Sequence, residues 1–154
     1  MANERNKRVL VVDDDPDVRK ILSSVLNSSG LLVDLASDGV EALDLLREHI
    51  YAVVLLDLLM PALDGFGVLD FLKTEPIQSA PVVLVLTGAE RGVFERLDPQ
   101  LIHGIVRKPF DPHELAALVV ACSEIKGRGS FGAMAIATMV SGAPLLAWLN
   151  RFCG

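Results

Sequence analysis

The 154-residue chain predicts an α/β fold, a doubly wound five-stranded parallel sheet with helices on both faces and a short apolar C-terminal tail. Three observations lead there. Residues Val9 to Val12, Ala52 to Leu56 and Val82 to Leu86 are unbroken apolar runs, as strands buried on both faces must be. Between the runs, apolar residues recur at helical spacing, so that strand and helix alternate along the chain. The runs end on polar groups, Asp13, Asp57 and Thr87, all at C-terminal strand ends, the edge where such sheets bind ligands.

Taken in order, Val9 to Val12 is a buried strand ending in Asp13-Asp14-Asp15-Pro16, and Pro16 suits the first turn of a helix. Val18, Ile21, Leu22, Val25 and Leu26 give that helix its apolar face, and Ser28-Ser29-Gly30 ends it. Leu31 to Ala36 reads as a second strand, a candidate for the sheet edge. Ser37-Asp38-Gly39 then leads into a helix with Val40, Leu43 and Leu46 on one face. Strand three runs into Asp57 and is stopped by Met60-Pro61. Gly65 to Thr74 follows as a helix with Phe66, Leu69 and Leu72 at three-residue steps. Pro76 and Pro81 bracket the connection to strand four, which ends on Thr87-Gly88. Residues 89 to 98 have weak helical drive, because Gly92 interrupts them and Asp98-Pro99 ends them early. Strand five, Ile102 to Val106, precedes Arg107-Lys108-Pro109-Phe110. Asp111-Pro112 opens a last helix to about Lys126, with Leu115, Leu118, Val119 and Cys122 inward.

Composition bounds the class. With 51% hydrophobic and 22% charged residues, the chain can bury a core and fits one compact domain with an appendage. The first 126 residues carry 12 bases against 20 acids, a net charge of −8 that does not seek nucleic acid. Cys122 and Cys153 are too few and too distant for a disulfide framework or metal knuckle. His49, His103 and His113 show no ligand spacing and are expected at helix ends or on the surface. The first residues have no secretory pattern, so a cytoplasmic location is expected.

Asp57 has two readings: a cap on the following turn, or a carboxylate at the strand's open mouth, where water, a cation or a phosphate reaches it. Convergence favours the second. Two carboxylates about 4 Å apart repel by roughly 4 kcal/mol at an effective dielectric near 20, so three at one edge require a counter-ion or protons. Oxygen-only ligands favour a hard cation such as Mg2+. Lys108 and Thr87 together with the metal can neutralise a phosphoryl group on Asp57, and carboxylates are accepted nucleophiles in phosphoryl transfer.

VVDDDP after the first strand, LDLLMPALDG around Asp57, LTG after the fourth strand and KPF after the fifth stand in order at family-like separations. On these motifs the sequence resembles the receiver domain of bacterial two-component response regulators over about residues 7 to 126. The resemblance implies a flavodoxin-like strand order 2-1-3-4-5. It implies that Asp57 takes a phosphoryl group from a histidine kinase or phosphotransfer protein. Asp13, Asp14 and Asp57 hold Mg2+ with the backbone carbonyl of Leu59, Thr87 and Lys108 contact the phosphate, and the Lys108-Pro109 bond is cis. Such a domain assists its own phosphorylation and dephosphorylation without being an enzyme in the usual sense. Asp15 belongs to the helix start.

The chain departs from the family pattern at Ile105, where a Tyr or Phe usually swings inward on activation, so readout is expected to differ. Leu59 and Ala89 stand where relatives carry polar residues that tune hydrolysis; neither orients water, and a longer-lived phosphorylated state is expected. Residues 127–154 form the tail. Phe131 to Asn150 is twenty residues without a charge, long enough to span a core of about 30 Å at about 1.5 Å per residue, although Pro144 would kink such a helix. A docked helix, a partner-binding segment and a membrane tether stay open. The expected output is contact with a downstream protein, with no nucleic acid bound, since 28 residues are too few for an output domain and no basic recognition helix is present. Two other readings remain: a docking module that is never phosphorylated, and an Mg2+-dependent aspartyl-phosphate phosphatase. The phosphatase needs a second Asp where Leu59 stands.

Overall fold

A computed structural model describes residues 7–75, 79–88, 95–127 and 137–139. Five parallel strands, β1 (Arg8–Val12), β2 (Leu32–Ala36), β3 (Val53–Asp57), β4 (Val82–Thr87) and β5 (Gly104–Arg107), lie in the expected order β2-β1-β3-β4-β5. Four helices are described: α1 (Pro16–Ser28), α2 (Gly39–Glu48), α3 (Gly65–Thr74) and α4 (Pro112–Gly127). The weak helix expected over 89 to 98 falls mainly outside the described residues, which show a tight helical turn at 95 and 96.

The sheet divides two apolar layers. On one face Leu10, Val12, Val54, Leu56, Val83, Val85 and Ile105 pack with residues of α2 and α3; on the other, Val9, Val11, Val53, Leu55, Leu84 and Val106 pack with α1 and α4. Alternate residues of one strand therefore serve opposite layers, which is why the central runs contain no polar residue before their last position.

The helix faces are partly as the spacing predicts. Leu115, Leu118, Val119 and Cys122 of α4 are all buried. Ile21 of α1 is instead 48% exposed and Val40 of α2 is 54% exposed. Helix α2 buries Gly39, Ala42 and Leu46, spaced by three and four residues, and Val40 is turned about 100° from Gly39 toward solvent. Helix α1 likewise buries Leu22 and Leu26, leaving Ile21 beside that stripe.

The sheet has one strand more than expected. Residues Ala137–Met139 form β6, parallel to β5 in the register Gly104↔Ala137, Ile105↔Thr138 and Val106↔Met139. For these three residues the helical reading is corrected: the outer edge of β5 presents a row of backbone donors and acceptors, and an extended segment satisfies them. The rest of the tail, 128–136 and 140–154, lies outside the described residues. Among those described, no helix is long and apolar enough to cross a membrane.

Candidate functional site

Register builds the site. Val12 pairs with Leu56, so one residue further on Asp13 stands beside Asp57. The Asp13 amide donates to the Ala36 carbonyl at 3.1 Å, carrying the ladder one step past the end of β1. Asp57 pairs with Leu86, which sets Thr87 one step beyond it on the neighbouring strand. The Lys108 amide donates to the Thr87 carbonyl at 3.0 Å, bringing the fifth strand's exit to the same edge, and the Lys108-Pro109 bond is cis.

Asp13 is fully buried and Asp57 is 6% exposed, whereas Asp14 faces solvent. Carboxylate oxygens of the three lie within 4.8 Å of one another. The Lys108 ammonium bridges two of them, donating to Asp13 Oδ2 at 2.6 Å and to Asp57 Oδ2 at 3.3 Å. The Leu59 amide donates to Asp57 Oδ1 at 3.2 Å and the Asp15 amide to Asp13 Oδ1 at 2.9 Å. Thr87 is buried at the end of β4. Asp15 caps α1, accepting from the Asp17 amide.

Electrostatics follow from burial. Loss of water pushes the Asp57 carboxyl above the usual carboxylate range; Lys108 opposes that shift, the Asp13 charge adds to it, and the Leu59 amide opposes it. For Lys108 burial acts downward, but the hydrogen bond to Asp13 and the charge of Asp57 outweigh it and leave the ammonium above the ordinary lysine value. Three carboxylates against one ammonium leave the cluster acidic. Its hard oxygen donors fit a divalent cation of the Mg2+ class, which needs few protein ligands and keeps several waters.

The β3–α3 connection holds Asp57 in place. Asp64 caps α3 by accepting from the Gly67 amide at 3.1 Å, and the Gly65 amide donates to the Leu58 carbonyl at 3.1 Å. A Cβ at Gly65 would collide with the Asp57 carbonyl oxygen and approach the Leu58 Cα to 2.7 Å. The Asp-Gly pair thus lets the helix start directly against the strand end. Leu59, 57% exposed, lies in the same connection.

All the expected site residues on β1, β3, β4 and β5 meet at this edge, while Ala89 lies outside the described residues. Ile105 is buried between Val85 and Thr138 in the sheet. One polar partner has no counterpart among the sequence expectations. Arg19 of α1 reaches back and donates from Nη1 to the Asp13 carbonyl at 2.6 Å. Its only sequence sign is a cation at the fourth residue of a helix, where the macrodipole disfavours positive charge. The histidine expectation also needs correction. His49 caps the end of α2 and His113 is exposed, but His103 is half-buried before β5, where the Val83 amide donates to its Nδ1 at 3.0 Å.

Comparison with known proteins agrees with this geometry. A family model described as the response regulator receiver domain matches residues 9–120. A probable transcriptional regulator ycf27 of Guillardia theta is 34% identical over 137 residues, covering 83% of this chain and 50% of that protein. The response regulator Rre1 of Synechocystis is 38% identical over 113 residues, covering 72% and 49%. The receiver domain of the Francisella response regulator 1452 superposes with a TM-score of 0.69 at 29% identity, covering 78% of this chain and 98% of that one. The response regulator TrrA of Thermotoga maritima, solved in complex with Mg2+ and BeF, gives 0.64 at 32% identity, covering 75% and 98%. This chain spans about half the length of these curated relatives.

Proposed function

Because the chain belongs to the response regulator receiver domain family, we propose that it accepts a phosphoryl group on Asp57 from the phosphohistidine of a histidine kinase or phosphotransfer protein. The observation that carries this reading is the meeting of carboxylate oxygens of Asp13, Asp14 and Asp57 within 4.8 Å of one another at the C-terminal edge of the sheet, with Lys108 bridging Asp13 and Asp57. A carboxylate oxygen of Asp57 attacks phosphorus, an oxygen–phosphorus bond forms, and the bond to the donor's imidazole nitrogen breaks, with the imidazole taking the electron pair.

Asp13, Asp14 and Asp57 would hold Mg2+, with the Leu59 carbonyl as a further oxygen donor. When bound, the metal neutralises negative charge on the phosphoryl oxygens. Lys108, already at the edge of the cluster, follows the new charge, and the Thr87 hydroxyl donates to a phosphoryl oxygen. The receiver unit is assigned to residues 7–126, with 127–154 as a separate tail. Output runs through contact with a downstream protein, and the net charge of −8 over residues 1–126 disfavours direct contact between this unit and nucleic acid.

Acetyl phosphate with Mg2+ is expected to label the wild-type chain, and Asp57→Asn to abolish labelling. Undiminished labelling of Asp57→Asn would falsify the assignment, and labelling unchanged by chelation would remove the metal from it.

A further inference from the structure

We propose that Arg19 is a positioning residue for the metal site, acting through the Asp13-Asp14 peptide on the direction of the Asp14 carboxylate. The inference rests on the Mg2+-dependent reading above. Its basis is the 2.6 Å hydrogen bond from Arg19 Nη1 to the Asp13 carbonyl, a charge-assisted contact made across the first turn of α1.

The other polar atoms of Asp13 are already committed. Its amide donates to Ala36, Oδ1 accepts from the Asp15 amide and Oδ2 accepts from Lys108. The carbonyl is the last backbone atom before Asp14, and it belongs to the same rigid peptide plane as the Asp14 amide. Holding that carbonyl therefore fixes the plane from which the Asp14 side chain departs. Asp14 most needs such help, because it is the exposed member of the cluster, whereas Asp13 and Asp57 are buried. An exposed carboxylate left to itself samples several rotamers, and ordering it as a ligand has an entropic cost.

Two effects of the guanidinium oppose each other. Its charge repels an incoming divalent cation, while its hydrogen bond orients a ligand for that cation. The sign of the change on removing it decides between them. Pure electrostatics makes Mg2+ bind more tightly to Arg19→Ala, and positioning makes it bind more weakly. Partners of metal ligands typically change affinity by 10–100-fold, and an exposed carboxylate places the expected effect at the lower end, about tenfold.

The test is a Mg2+ titration of the full chain by calorimetry, with thermal melting recorded alongside. Arg19→Ala is expected to weaken Mg2+ about tenfold, and Arg19→Gln, which keeps a donor without the charge, to recover much of the loss. In an Asp14→Asn background the Arg19 substitution is expected to have no further effect, since the group it orients is gone. Should the alanine variant fold poorly, Arg19→Met, which keeps the stem and removes every donor, takes its place. Unchanged or tighter binding by the donor-less variant, or additive losses with Asp14→Asn, overturns the inference while the metal site stands. Absence of Mg2+ binding by the wild type overturns the reading on which it rests.

Discussion

At the residue scale, the charge of the cluster is partly offset by a cation that the chain itself supplies. The Lys108 ammonium lies between Asp13 and Asp57, so a divalent ion must compete with it. Lys108→Ala is expected to tighten Mg2+ about tenfold, the equivalent of one charge-assisted hydrogen bond, and to slow labelling by acetyl phosphate; calorimetry and a labelling time course check both. Asp57 carries the opposite lesson. Its carboxyl titrates above its unfolded value of 3.8, so its favourable contribution is full below that value and is lost as pH rises through the folded value. Without metal at pH 7, Asp57→Asn is therefore expected to be more stable than wild type by on the order of 1 kcal/mol. The difference should shrink toward zero near pH 3.5, as read from denaturant midpoints in chelator.

At the scale of elements, close approach and half-buried polar groups make the next predictions. Gly65→Ala sets a methyl group against the Asp57 carbonyl and is expected to destabilise the fold by about 2 kcal/mol, measured by urea denaturation. His103 is held below its ordinary value of 6.5 by burial and by Lys126. A histidine so depressed contributes stability that is full above 6.5 and is lost as pH falls, because the unfolded chain takes the proton first. Wild type should thus lose more stability than His103→Asn between pH 7.5 and 5.5. The sequence made the central strands readable because a strand covered on both faces tolerates no polar interruption, whereas their spatial order came only with the family resemblance. It did not mark which of two adjacent apolar residues a helix buries, as Ile21 and Val40 demonstrate, since a rotation of 100° is invisible without the sheet beneath. Arg19 was equally hidden: a side chain that bonds a backbone carbonyl leaves no spacing pattern. For Asp13, Asp57, Thr87 and Lys108 the signal was strong because each lies at or immediately beyond a strand end, where register alone brings them together.

At the scale of the whole molecule, the two apolar layers and the site are built, among the described residues, from those before 128, and the described part of the tail, Ala137–Met139, adds a strand to one flank of the sheet. A chain ending at Gly127 is expected to retain Mg2+-dependent labelling and to stay in the aqueous fraction, which phosphorylation and vesicle sedimentation measure against the full chain. The alternation of Ala137, Thr138 and Met139 is too short and too mild to announce a strand, which is why β6 escaped the sequence reading. Its presence bears on behaviour in concentrated solution. A long bare flank on β5 would invite other molecules to add their own segments and grow into fibres; a three-residue border gives such growth little to template upon.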